Sequence, residues 1–112
     1  DLRRTFPRFA EPHRSKNSDL LKKTQAIASD YKCTTSQLAI AWTLSQDLTS
    51  VPIPGTINER HLRDNFHASG IELSEETLEQ LNDIFSPKNI SGPRYSEAAQ
   101  ATVSTERFDF EV

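Results

Sequence analysis

One segment limits what this chain can build. Thr49 to Pro54 reads T-S-V-P-I-P, a short β-prone run set between stretches of helical pattern. Pro52 and Pro54 cannot donate ladder hydrogen bonds, which excludes a long central strand and leaves room for two or three strand residues. A single strand has no ladder of its own and cannot form a sheet. The order read along the chain is helix, helix, short strand, helix, helix, tail. It predicts that the strand's partners lie outside these 112 residues. The absence of any Met carries the same expectation, that the chain is a piece of something longer.

The helices are read from period and caps. Residues 1–16 hold two prolines and scattered aromatics without periodicity, and read as a loop. Asn17 is the expected N-cap of the first helix, whose apolar face is Leu20, Leu21, Thr24, Ile27, Ala28 and Tyr31. Thr34 with Gln37 three residues later is a capping-box pattern. The stretch that follows, to Gln46, is apolar nearly all round, which predicts burial between layers with Trp42 in the core. Asn58 is placed to cap a helix running to about Ser69, with Gly70 as its C′ stop. Ser74 caps the next, with Glu75 and Glu76 in its first turn and an apolar face of Thr77, Leu78, Leu81, Ile84 and Phe85. Ser86-Pro87 ends it, and 86–112 reads as an extended or disordered tail whose aromatics Tyr95, Phe108 and Phe110 show no period.

Charge and chemistry-bearing residues narrow the function classes. The net charge of −3 gives no reason to expect nucleic acid as a partner. Residues 1–32 carry eight Lys and Arg against four acids, and such a region can meet a phosphate or be a solvated face. Cys33 stands alone, so no disulfide framework exists within the chain, and the expectation is a cytoplasmic protein. No apolar run approaches membrane-spanning length and no signal peptide is read. His13, His61 and His67 have no i, i+4 pairing and Cys33 has no second Cys, so no metal site is expected. No G-x-S-x-G or P-loop occurs.

Several motifs in one order carry a family resemblance. Cys33 to Trp42, C-T-T-S-Q-L-A-I-A-W, resembles a signature of the aldo-keto reductases. Val51 to Thr56, V-P-I-P-G-T, resembles that family's strand and turn. His61-Leu62-Arg63-Asp64-Asn65 resembles its x-L-x-E-N, Ile71-Glu72-Leu73-Ser74 its V-E-L-T/S, and Pro7-Arg8-Phe9 a loop often written P-R-F. The resemblance implies an α/β fold, the C-terminal portion of a (β/α)8 TIM barrel, mostly helical here with one short strand. It places 1–85 in the barrel domain and leaves 86–112 as the tail. T-S-V-P-I-P then matches the eighth barrel strand.

What the resemblance implies chemically is a nicotinamide cofactor, NADP with NAD as the alternative, and a small aldehyde or ketone substrate. Phosphates in such barrels often sit after strands seven and eight. The expected cofactor-binding residues are therefore Gly55, Thr56, Ile57, His61, Asp64 and Asn65. Gly55 permits close backbone approach, and amides at a helix start favour anions. Asp64 accepts, and Asn65 both donates and accepts, which suits adenine. Many members carry a basic residue where Ile57 stands and Arg where His61 stands, so the grip on a 2′-phosphate differs here. Arg60 is adjacent, but on a helix it points about 100° away from His61. The family's catalytic Asp, Tyr, Lys and His match no position, so the chain alone is expected to be inactive. Two other readings stand beside an oxidoreductase part: a non-enzymatic nucleotide-binding regulatory subunit on the same barrel, and an independent helical interaction module.

Overall fold

The computed structural model of the protein describes residues 2–103. They form two compact units, one of residues 2–22 with 84–103, the other Lys23–Asp83. The helices are α1, His13–Asp30; α2, Thr35–Leu44; α3, Glu59–His67; α4, Glu75–Ile84; and α5, Glu97–Gln100. Short 3-10 turns stand at Leu2–Thr5, Pro7–Phe9, Ala68–Gly70 and Pro87–Asn89. No strand occurs among the described residues, and residues 50–56 have no regular structure. The short strand expected in Thr49–Pro54 is thus not formed, because a strand needs a neighbour to bond to.

α1 starts earlier than its periodicity indicates. Pro12 immediately precedes it, and the Glu11 carboxylate accepts from the Ser15 hydroxyl at 2.7 Å and the Ser15 amide at 3.3 Å, over the first turn. Asn17, expected as the cap, lies inside the helix. Its carboxamide is instead spent on Ser91, donating to the carbonyl at 2.9 Å and accepting the amide at 2.8 Å. Residues 2–9, read as loop, hold two of the 3-10 turns.

α1 ends on a paired set of backbone bonds. Cys33 N–H reaches Ala28 O at 3.0 Å and Lys32 N–H reaches Ser29 O at 3.0 Å, the Schellman arrangement. The residue that must be left-handed there is Lys32, at φ 53°. Glycine is the usual occupant, because a side chain is strained in that conformation.

In the Lys23–Asp83 unit the core is small. Thr24, Ile27 and Ala28 of α1, Leu38 and Ala41 of α2, Ala68 and Leu81 are buried. α2 starts with the full capping box: Thr34 Oγ1 accepts from Gln37 N–H at 3.1 Å while Gln37 Oε1 accepts from Thr34 N–H at 3.0 Å. Trp42, expected in the core, is half-buried, and its indole N–H donates to Asn82 Oδ1 at 2.8 Å. α2 is therefore not enclosed between layers. Leu38 and Ala41 are its only buried residues, since the unit supplies neighbours on one side. Ser74 caps α4 by accepting Thr77 N–H at 3.1 Å. The Tyr31 hydroxyl accepts Ser74 N–H at 3.0 Å and donates to Thr77 Oγ1 at 3.0 Å. These bonds from Ser74 and Thr77 hold the Tyr31 phenol below its ordinary value. Gly70, expected as a left-handed stop for α3, lies in the 3-10 turn at Ala68–Gly70, and Gly92 is the glycine with positive φ.

The other unit carries polar clasps on residues 91–92. Arg8 Nε donates to Gly92 O at 2.9 Å, and His13 Nδ1 lies 2.9 Å from Ser91 Oγ. Gly92 sits at φ 85°, and a Cβ there would stand 2.7 Å from His13 Cγ. The Phe6 and Tyr95 rings meet edge to face with centroids 5.8 Å apart. Of the tail aromatics, Phe108 and Phe110 lie outside the described residues.

Candidate cofactor-binding site

The turn after residue 54 and the first turns of α2 and α3 close around one hollow of about 530 Å³. Asn58 organises the α3 side. Its Oδ1 accepts Arg60 N–H at 2.9 Å and His61 N–H at 3.3 Å, and its own amide is taken by Thr56 Oγ1 at 3.0 Å. One turn on, Asp64 and Asn65 face the hollow. From the α2 side Gln37 Nε2 donates to Asp64 O at 3.0 Å, tying the first turn of α2 to the second half of α3. Thr34, Ser36, Ala39 and Ile40 complete that wall.

Five of the six expected residues line this hollow: Gly55, Thr56, His61, Asp64 and Asn65. Ile57 does not line it, and its side chain is fully exposed at 108%. Arg60 does line it, contrary to the expectation from helix angle. Its Nε lies 4.0 Å from Asp64 Oδ2 across one helical turn. A long guanidinium stem spans an arc that a Cβ direction alone does not describe. The i, i+4 spacing of Arg60 and Asp64 was the signal available in the sequence. Thr34 and Ser36 were also missed as lining residues, since a cap is ordinarily read for its helix and not for the space beside it.

The geometry also revises how an anion would be met. The amides of Arg60 and His61, expected to offer themselves at the start of α3, are occupied by Asn58, and the Thr56 hydroxyl is engaged by Asn58. Cationic contact at this end falls to Arg60 and, when protonated, His61. At Gly55 no atom of the described residues beyond its chain neighbours lies within 4 Å of where a Cβ would stand, so no packing clash there requires glycine. Donors and acceptors of a kind that fit a purine and an anion are thus gathered in one concavity. Among the described residues no cluster of His, Cys, Asp or Glu could hold a metal ion, and no helix is long and apolar enough to cross a membrane.

Comparison with known proteins agrees with the motifs. The sequence profile described as Aldo/keto reductase family matches residues 3–85. The chain is 33% identical over 103 residues to the Schizosaccharomyces pombe aldo-keto reductase yakc, named for NADP(+), covering 92% of this chain and 30% of the relative. It is 33% identical over 92 residues to a Glycine max protein named "Probable aldo-keto reductase 1", covering 82% of this chain and 27% of the relative. The chain therefore spans less than a third of the length of these curated relatives. No solved structure matches it with significance. With the profile covering most of its length and the motifs in one order, the chain belongs to the aldo/keto reductase family.

Proposed function

We propose that this chain is the cofactor-holding C-terminal part of an NAD(P)H-dependent aldo-keto reductase acting on small aldehydes or ketones in the cytoplasm. The observation that carries this reading is the convergence of Gly55, Thr56, Arg60, His61, Asp64 and Asn65 on one hollow. The dinucleotide supplies the hydride when bound, and the protein's part is to bind and orient it. Asp64 and Asn65 hydrogen-bond the adenine, Gly55 admits the backbone to a phosphate, and Arg60 with His61 faces the ribose phosphate.

The family's fold supports a place for the exposed apolar residues. Val51, Ile53 and Phe66 are 80%, 91% and 76% exposed, beside an extended segment without a ladder. In a (β/α)8 barrel residues 49–54 become the eighth strand and this surface turns inward. Proton transfer to the carbonyl belongs to residues on the earlier strands, so the chain alone does not turn over substrate.

The test compares the 112-residue chain with the same chain joined to its upstream sequence. NADPH oxidation is followed with a panel of aldehydes and ketones. The longer protein is expected to be active and the chain alone silent. Sustained turnover by the repurified chain alone would overturn the proposal, as would a longer protein that binds no nicotinamide cofactor. A longer protein that binds cofactor but reduces nothing would favour the regulatory subunit.

A further inference from the structure

A second hollow, of about 380 Å³, lies within the unit of residues 2–22 and 84–103. Phe9, Leu21 and Ile90 stand in its wall. Phe9 and Leu21 are 50% and 52% exposed. Covering such apolar surface is favourable roughly in proportion to its area.

The unit is also cationic. Its described residues carry eight Lys and Arg against three acids. That excess belongs to the sum and holds whichever ion pairs form inside the unit. It attracts a segment of opposite charge over about a Debye length, roughly 10 Å at 0.1 M salt. Wall and charge together call for an occupant that is apolar on one face and acidic on the other.

The chain supplies such a segment. Residues 104–112, S-T-E-R-F-D-F-E-V, lie outside the described residues and follow directly on Val103 of this unit. They hold three acids against one Arg. Over 86–112 as a whole no period runs, but the last six residues alternate, Arg107, Asp109 and Glu111 with Phe108, Phe110 and Val112. Positions i, i+2 and i+4 of an extended segment share one face, spaced roughly 7 Å apart, so the two rings and the valine can be laid down together. Reach is not limiting. Nine residues span up to roughly 30 Å, whereas a compact body the size of this unit has a radius of gyration of roughly 9 Å.

We propose that Phe108 and Phe110 dock on the Phe9, Leu21 and Ile90 wall of this hollow, with Asp109 and Glu111 turned to the cationic surface around it. Residues 107–112 thereby cover part of their own unit. The proposal is independent of the cofactor reading, since the two hollows share no described lining residue.

The test is NMR on the whole chain. Nuclear Overhauser contacts are expected from the Phe108 and Phe110 rings to the Leu21 and Ile90 methyls. In a mixture of labelled and unlabelled chains they are expected within one chain only. Phe108→Ser with Phe110→Ser should abolish them and shift the amides of Phe9, Leu21 and Ile90, leaving those of α2 in place. Asp109→Asn with Glu111→Gln should weaken the contacts at least twofold. In the protein joined to its upstream sequence, Leu21→Cys with Phe110→Cys in a Cys33→Ser background is expected to form a disulfide between positions 21 and 110 on mild oxidation. Contacts between different chains would assign the wall to a second copy, and failure of the disulfide would assign it to the upstream part. Either result would overturn the proposal, as would amides at 9, 21 and 90 that ignore the loss of both rings.

Discussion

Gln37 Nε2 donates to the main-chain carbonyl of Asp64 at 3.0 Å while the same side chain closes the capping box on Thr34. One residue thereby starts α2 and sets the position of a residue lining the candidate site. Gln37→Glu keeps an acceptor for Thr34 N–H but removes the donor to Asp64. Gln37→Ala removes both. We expect Gln37→Ala to cost about 1–2 kcal/mol by summing a lost cap and a lost hydrogen bond, and Gln37→Glu less. Urea unfolding of both variants checks this, and a Gln37→Glu variant as stable as the unsubstituted protein would show that the tie to Asp64 contributes nothing.

Lys32 is a left-handed residue in a position that favours glycine. Lys32→Gly should stabilise the protein by about 1 kcal/mol, the scale of side-chain strain in that region. The increased freedom of glycine in the unfolded chain partly offsets this. A lowered urea midpoint with unchanged slope would show that the lysine is not strained.

The two glycines at 70 and 92 should respond oppositely to alanine. A Cβ at Gly70 meets nothing within 4 Å, and Gly70→Ala is expected to be neutral or stabilising by up to about 1 kcal/mol. At Gly92 a Cβ would stand 2.7 Å from His13 Cγ, on a backbone at φ 85°. Gly92→Ala should break the clasp of His13 on Ser91. The check is the His13 ring resonances by NMR, which must shift in Gly92→Ala and hold still in Gly70→Ala.

Asp47 provides a pH signature just before the extended segment. Hydrogen bonds from the Thr49 hydroxyl, then the Ser50 hydroxyl and the Thr49 amide, hold its carboxyl down at about 2, from an ordinary 3.8. The folded value is the lower one, so the turn is favoured above pH 3.8 and its advantage is lost as pH falls through about 2. The carboxyl carbon of Asp47 followed by NMR should titrate near 2, and Thr49→Val should move it up. A midpoint at the ordinary value in the unsubstituted protein would mean the turn does not form in solution.

What the sequence revealed was local. Thr34 with Gln37, Asn58 and Ser74 each act within three residues of themselves, and each stands where its pattern put it. The start of α1 was missed because the partner that claims Asn17 is Ser91, 74 residues away. Lys32 was missed because no glycine marks the turn. Burial of Trp42 and α2 was overestimated, since an all-round apolar helix records the layers of a larger body, while this unit offers α2 neighbours on one side. At the site, the family motifs identified five lining residues. Arg60 was set aside on the angle between adjacent helix positions, which ignores how far an arginine reaches.

The cofactor claim is tested most directly by titrating NADPH and NADH into the protein joined to its upstream sequence, in the unsubstituted form and as Asn65→Ala and Arg60→Gln. The account predicts that Asn65→Ala weakens both cofactors alike, because both carry adenine. Arg60→Gln should weaken NADPH tenfold or more, the value of one charge-assisted contact at about 1.5–3 kcal/mol, and leave NADH nearly unchanged. If Asn65→Ala leaves both affinities intact, and Arg60→Gln fails to separate them, the hollow between α2 and α3 does not hold the adenosine end of the cofactor.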